Sequence, residues 1–108
     1  MIGKRRKKML NTKTGIYEEK AVISLEGKLD TLTSPELEQV ITEVIPQTNE
    51  LILDLEGLEY TSSAGLRVIL STYKRMNAKN GILRVRNVNP VVMELFEMTE
   101  LAPILNIE

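Results

Sequence analysis

The sequence predicts an α/β domain built on a mixed sheet. Short runs rich in Val, Ile and Leu alternate with segments whose apolar residues recur every three or four positions, the mark of strands alternating with one-sided helices. Strand–helix–strand order implies parallel pairing with right-handed crossovers. The first two strand signals are separated only by a turn, which adds an antiparallel pair and makes the sheet mixed.

Residues 12–17 are predicted as a first, edge strand. Ala21-Val-Ile-Ser-Leu-Glu26 is a β-rich run expected to end at Gly27. The next element is a helix over Ser34–Ile45, with Leu37, Val40, Ile41, Val44 and Ile45 on one face. Thr33 or Ser34 is its expected cap, Pro35 suits its first turn, and Pro46 is expected to stop it. Leu51-Ile-Leu-Asp-Leu55 is a near-continuous apolar run, predicted as a central strand covered on both faces. A second helix is predicted over Ser63–Lys79, with Leu66, Ile69, Leu70, Tyr73 and Met76 inward and Asn80-Gly81 closing it. Ile82–Val88 follows as a strand, half apolar and half basic. Asn89-Pro90 opens a third helix to about Leu101, with Val92, Leu95, Phe96 and Met98 or Thr99 inward. Ile104–Ile107 completes the pattern as a short last strand.

Composition narrows the function. With 108 residues the chain makes one domain and can bury a core without staples. Three Tyr, one Phe and no Trp mean that this core is aliphatic. Cysteine and histidine are both absent. Thiol catalysis, a Ser-His-Asp triad, a phosphohistidine relay and His- or Cys-ligated zinc are therefore excluded. No apolar run approaches the length of a bilayer span, and no apolar stretch of signal-peptide type follows the basic start. Five of the 14 Lys/Arg fall at positions 4–8, leaving 9 against all 15 Asp/Glu, a net of about −6 for the rest. An acidic body is a poor nucleic-acid binder. Residues 1–10 are assigned as a basic tail and 11–108 as the domain. The tail has three readings: a solubilising arm, a weak contact to membrane or nucleic acid, or an extension before a start at Met9.

The segment Gly57-Leu-Glu-Tyr-Thr-Ser-Ser-Ala-Gly-Leu-Arg67 runs from a strand into a helix, where open α/β sheets present functional groups. A helix N-terminus offers unpaired N–H groups and a positive dipole end. Ser62 and Ser63 place two hydroxyls there. Caps are the ordinary use of such hydroxyls. Ala64 and Gly65 serve either close packing or close approach by another protein. Neither the spacing of a P-loop nor a Gly-x-Ser-x-Gly elbow is present. Asp30 and Asp54 are each expected to end a strand near this loop, as turn formers or as a carboxylate pair, and turn formation is the simpler use. Arg67, Val68, Ser71 and Lys74 fall off the apolar face of the second helix, and an exposed Val68 beside Gly65 suits a partner-facing patch.

The stretch Leu51-Ile-Leu-Asp-Leu-Glu-Gly-Leu-Glu-Tyr-Thr-Ser-Ser-Ala-Gly-Leu-Arg-Val-Ile-Leu70 resembles the signature of the STAS family, and within it the anti-sigma factor antagonists. Leu25-Glu-Gly-Lys-Leu-Asp30 before a Pro-Glu-Leu helix start, and Leu83-Arg-Val-Arg-Asn-Val88 before the Asn-Pro helix, match two further landmarks in order and spacing. The resemblance implies a four- to five-stranded mixed sheet packed with α-helices. It implies a cytoplasmic, non-enzymatic binding module without metal or cofactor. Such a module binds an anti-sigma factor that is also a serine kinase, and so releases a sigma factor. The kinase ends the binding by phosphorylating a serine at the start of the second helix, and a metal-dependent serine phosphatase restores it. Aligned on Gly65-Leu66, the acceptor is Ser63. Ser62 stands where the family carries an acid, which makes it the alternative acceptor, and Ala64 stands where a second serine occurs. The expected partner-binding set is Asp30, Thr61, Ser62, Ala64, Gly65, Arg67 and Val68. The other function open to this family is that of a non-phosphorylated subunit of a stress-sensing or lipid-transport assembly.

Overall fold

A computed structural model describes residues 9–108; the basic run at positions 4–8 lies outside the described residues. The elements are β1 (Leu10–Tyr17), β2 (Lys20–Leu29), α1 (Ser34–Val44), β3 (Glu50–Thr61), α2 (Ser63–Ala78), β4 (Ile82–Arg86), α3 (Pro90–Met98) and β5 (Asn106–Ile107). One five-stranded sheet has the order β1-β2-β3-β4-β5. β1 runs antiparallel to β2, and the other neighbours are parallel. The predicted class, a mixed sheet packed with helices, is the observed one.

Each of the three crossovers, β2–α1–β3, β3–α2–β4 and β4–α3–β5, steps the same way across the sheet. Right-handed connections that all step one way place their helices on one face. Register shows the result. Ala21, Leu51 and Leu83 form one row, and Ile23, Leu53 and Val85 the next, all at most 2% exposed. The alternate rows, Val22–Ile52–Arg84 and Ser24–Asp54–Arg86, carry polar groups and ion pairs. Arg84 bonds Glu50 at 2.9 Å and Glu108 at 3.2 Å, and Arg86 bonds Asp54 at 3.2 Å. The expectation that helices cover β3 on both faces is therefore wrong. Ile52 completes the apolar run while sitting among Val22 and Arg84 on the face without helices.

Several element ends differ from expectation; β4 stops at Arg86, short of the expected Val88, and β5 begins only at Asn106. β1 begins at Leu10, which is buried, so pairing starts inside the segment assigned to the tail. β2 continues through Gly27 instead of ending there. Gly27 takes φ 108° at a register shift, and a Cβ at this position would lie 2.2 Å from the Met9 carbonyl oxygen. A strand glycine here marks a bulge and a close backbone approach. Helical structure passes Pro46 as a 3-10 turn over Ile45–Gln47. β3 is 12 residues long and continues past Leu55 to Thr61, so Asp54 lies inside the strand and not at its end.

α2 ends as predicted, at a Schellman turn. The Gly81 N–H bonds the Met76 carbonyl at 2.7 Å, with Asn80 left-handed at φ 62°. α3 ends the same way but sooner than expected. The Leu101 N–H bonds the Phe96 carbonyl at 2.8 Å, and Glu100 takes the left-handed position at φ 62°. Leu101 thus folds back into the core, Met98 is left 72% exposed, and Thr99 is also outward. The expectation of Met98 or Thr99 inward fails because the helix stops one turn early. Val92 and Phe96 are fully buried.

Candidate functional site

The parallel strands β2 and β3 finish side by side, with Leu29 opposite Thr61. The Ser62 N–H donates to the Leu29 carbonyl at 2.8 Å, fixing the start of α2 against the end of β2. Gly65 permits this seating. A Cβ there would lie 2.3 Å from Thr61 Oγ1 and 2.6 Å from Leu29 Cγ. Both of those side chains are buried, so little could give way.

The hydroxyls divide sharply. Thr61 is 1% exposed, and its Oγ1 donates to the Ser62 carbonyl at 3.1 Å. Ser62 occupies the cap position with extended backbone, yet its side chain makes no cap bond, and its Oγ is buried without a partner among the described residues. Ser63 opens the helix as an exposed residue. The simple capping role expected for Ser62 is thus not realised. The N–H groups of Ser63, Ala64 and Gly65 likewise have no acceptor among the described residues. α3 offers the contrast, because Asn89 Oδ1 accepts from the Val92 N–H at 2.8 Å while its Nδ2 donates to the Leu58 carbonyl at 2.7 Å.

Asp30 lies one residue beyond Leu29 and therefore at the same rim. Its Oδ1 accepts from the Leu32 N–H at 2.9 Å, the Thr33 N–H at 3.0 Å and the Thr33 hydroxyl at 3.2 Å. The Thr33 N–H, followed by the Leu32 N–H, the Thr33 hydroxyl and the charge of Lys28, holds its carboxyl below the ordinary 3.8 against a weaker opposing effect of burial. Asp30 is thus the turn former before α1. Thr33 does not cap α1 with its side chain, since Oγ1 accepts from the Asp30 N–H and donates to the Lys28 carbonyl. Ser34 donates back to the Asp30 carbonyl at 2.6 Å.

Asp54 does not join this group. It faces Arg86 and Asn87, with Asn87 Nδ2 at 3.0 Å and the Glu56 N–H at 3.1 Å. Burial alone would raise its carboxyl, but the hydrogen bonds from Asn87, Glu56 and Arg86 outweigh it and hold the carboxyl below 3.8. No carboxylate pair forms with Asp30, and among the described residues no cluster of three or more metal-ligating side chains occurs.

Of the remaining predicted residues, Ala64 is half-buried, Arg67 is exposed and Gly65 is buried. Val68 is 8% exposed, which overturns the expectation of an exposed valine. Gly65, Val68, Thr72 and Met76 form a second buried row on α2, because α1 packs beside α2 on the same sheet face. Of this second row the three-four spacing identifies only Met76.

Two features escaped the sequence. Leu32 is 79% exposed in the Asp30 turn, an apolar side chain displayed at the site rim. Leu101 and Thr99, brought back by the end of α3, close a shallow groove of about 220 Å³ with Ser63, Leu66, Arg67 and Leu70. The oddity of a leucine between two threonines could have flagged the first, whereas the second depends on a tertiary turn. A larger hollow of about 600 Å³, lined by Tyr17, Lys20, Asn49, Glu50, Asn80 and Ile82 among others, lies at the opposite rim and contains none of the predicted residues. No helix among the described residues is long and apolar enough to cross a membrane.

Comparison with known proteins agrees with this architecture. Residues 7–108 match the model of the STAS domain. The chain is 38% identical over 88 residues to an anti-sigma F factor antagonist of Paenibacillus polymyxa, covering 80% of this chain and 75% of that protein. It is 30% identical to an anti-sigma-B factor antagonist of Staphylococcus aureus, covering 91% and 92% of the two chains. A crystal structure of an anti-sigma factor antagonist from Mycobacterium paratuberculosis superposes with a TM-score of 0.82 at 26% identity, covering 91% of this chain and 84% of that one. The one-sided five-stranded sheet, the hydroxyl-bearing start of α2 and these matches together make the chain a member of the STAS domain family.

Proposed function

We propose that this domain is an anti-sigma factor antagonist switched by phosphorylation of Ser63. It binds an anti-sigma factor that is also a serine kinase and so frees a sigma factor. The names of its relatives support the first part. The observation that carries the second is the contrast between the two serines: Ser63 is an exposed residue on the first turn of α2, whereas Ser62 Oγ is buried. A kinase needs an accessible oxygen, which favours Ser63 over Ser62. The kinase supplies base, metal and ATP. The γ-phosphoryl group passes to Ser63 Oγ, releasing ADP and the hydroxyl proton. The domain itself contributes no catalytic group.

The physical effect follows from charge. A phosphate adds about −1.5 to −2 charges and strong acceptor oxygens. At the start of α2 the unpaired N–H groups and the dipole tolerate it. At a docked interface the same group adds bulk, desolvation cost and repulsion from partner carboxylates. A loss of about 3 kcal/mol at one centre weakens binding by roughly a hundredfold. The partner-facing surface is Ser63, Ala64, Arg67 and the Asp30 turn with Leu32. Thr61, Ser62, Gly65 and Val68 support it from beneath. A serine phosphatase with its own metal completes the cycle.

The test is phosphate uptake on incubation with ATP and the anti-sigma factor kinase of the source organism, followed by intact mass. Wild type and Ser62→Ala gain one phosphate and Ser63→Ala gains none. The reverse pattern would move the acceptor to Ser62. No uptake by any of the three sinks the switch and leaves a structural subunit of a larger assembly.

A further inference from the structure

The proposed acceptor is followed, four residues on, by an arginine with no carboxylate partner among the described residues. Ser63 and Arg67 are both exposed on α2, in the i, i+4 relation that makes side chains neighbours. Side chains on a helix lean toward its N-terminus, so the Arg67 stem runs back over the turn that begins with Ser63. Both residues line the same groove, whose other walls are Leu66, Leu70, Thr99 and Leu101. None of these is acidic, and Arg67 forms no ion pair or side-chain hydrogen bond among the described residues. Arg84 and Arg86 differ in this respect, each being tied to a carboxylate across the sheet.

We infer that a phosphate on Ser63 is held by Arg67 of the same chain, so that modification withdraws this cation from the docking face as well as adding an anion. The inference rests on the reading of Ser63 as acceptor. Unmodified, Arg67 is a guanidinium without a partner among the described residues, beside an apolar groove and suited to a carboxylate on a partner. Modified, its planar fork of donors meets phosphate oxygens on its own helix, with geometry that lysine only partly reproduces. The face then changes by more than the charge of the phosphate, since the group that would attract an acidic partner is already occupied.

The experiment uses the full chain with phosphoserine installed at position 63 by genetic code expansion, so no kinase is involved. The phosphorus resonance is titrated by NMR between about pH 4 and pH 8, spanning the second ionisation of phosphoserine. A guanidinium partner favours the dianion, so the midpoint in wild type lies about half a pH unit below that of Arg67→Gln. Arg67→Lys falls between them. A second readout needs no substitution: the Arg67 Nε–Hε resonance differs between phosphorylated and unmodified chains and follows the same midpoint. Equal midpoints in wild type and Arg67→Gln, or an Arg67 resonance that phosphorylation leaves in place, would overturn the inference. Failure of the kinase to modify Ser63 would instead sink the acceptor reading and leave these midpoints unaffected.

Discussion

Gly65 shows how much depends on one missing side chain. Its neighbours, Thr61 and Leu29, are the last residues of two strands, and both are buried. A methyl group at 65 has to push α2 off the end of the sheet. Gly65→Ala is therefore expected to cost about 1–3 kcal/mol, by overpacking alone, as a lower urea midpoint. Ala64→Ser, one position earlier and half-buried, should stay within about 0.5 kcal/mol of wild type. At this scale the sequence was informative about chemistry and weak on exposure. Ser63 could be singled out as the candidate acceptor from its place before Gly65-Leu66. That Ser62 Oγ would be buried with no partner among the described residues, and Val68 covered, could not, because both depend on what lies alongside α2.

Elements were legible where local chemistry ends them and obscure where pairing extends them. Pro35, Asn80-Gly81 and Asn89-Pro90 all mark boundaries through backbone rules that need no tertiary partner. The second half of β3 was missed because register shifts opposite Glu26 and Gly27 break the period-two alternation, leaving Glu56-Gly57 to read as a turn. The early stop of α3 was missed for a related reason. Its Schellman turn places Glu100 in the left-handed region, where glycine is the usual occupant. Relieving that conformation is expected to stabilise the domain: Glu100→Gly should raise stability by about 0.5–1 kcal/mol, visible as a higher Tm. A lower Tm would mean that the Glu100 side chain contributes more than its backbone strain costs.

For the whole molecule, the sheet's two faces set its response to acid. One face is aliphatic and covered by helices; the other is crossed by ion pairs, among which Asp54 bridges β3 to Arg86 and Asn87. The Asp54 carboxyl sits below its ordinary 3.8 in the folded state. A depressed carboxylate stabilises the fold fully above the unfolded value, and that contribution disappears as the pH falls through 3.8 and past the folded value. Stability measured by urea should thus decline from about pH 5 downward. Asp54→Asn should decline less over the same range, because the amide has no proton to gain. Parallel pH profiles for the two proteins would show that the bridge adds nothing. Asp30, with the same direction of displacement, contributes in the same sense at the site rim. The fold class and strand number at this scale were open to sequence reading, whereas the one-sidedness was hidden by Ile52, whose apolar side chain made the run Leu51–Leu55 look sandwiched.

The parallel alignment of β2 and β3 also gives the molecule a convenient back end. Lys20 and Glu50 pair at one end of the strands, and Leu29 and Thr61 at the other. Ten residues of β2 separate the two rims, roughly 30 Å at strand rise. Lys20 is exposed, and the chain contains no cysteine. A single thiol introduced as Lys20→Cys would be the unique attachment point for a dye or a surface, leaving the start of α2 pointing into solution for whatever protein comes to meet it.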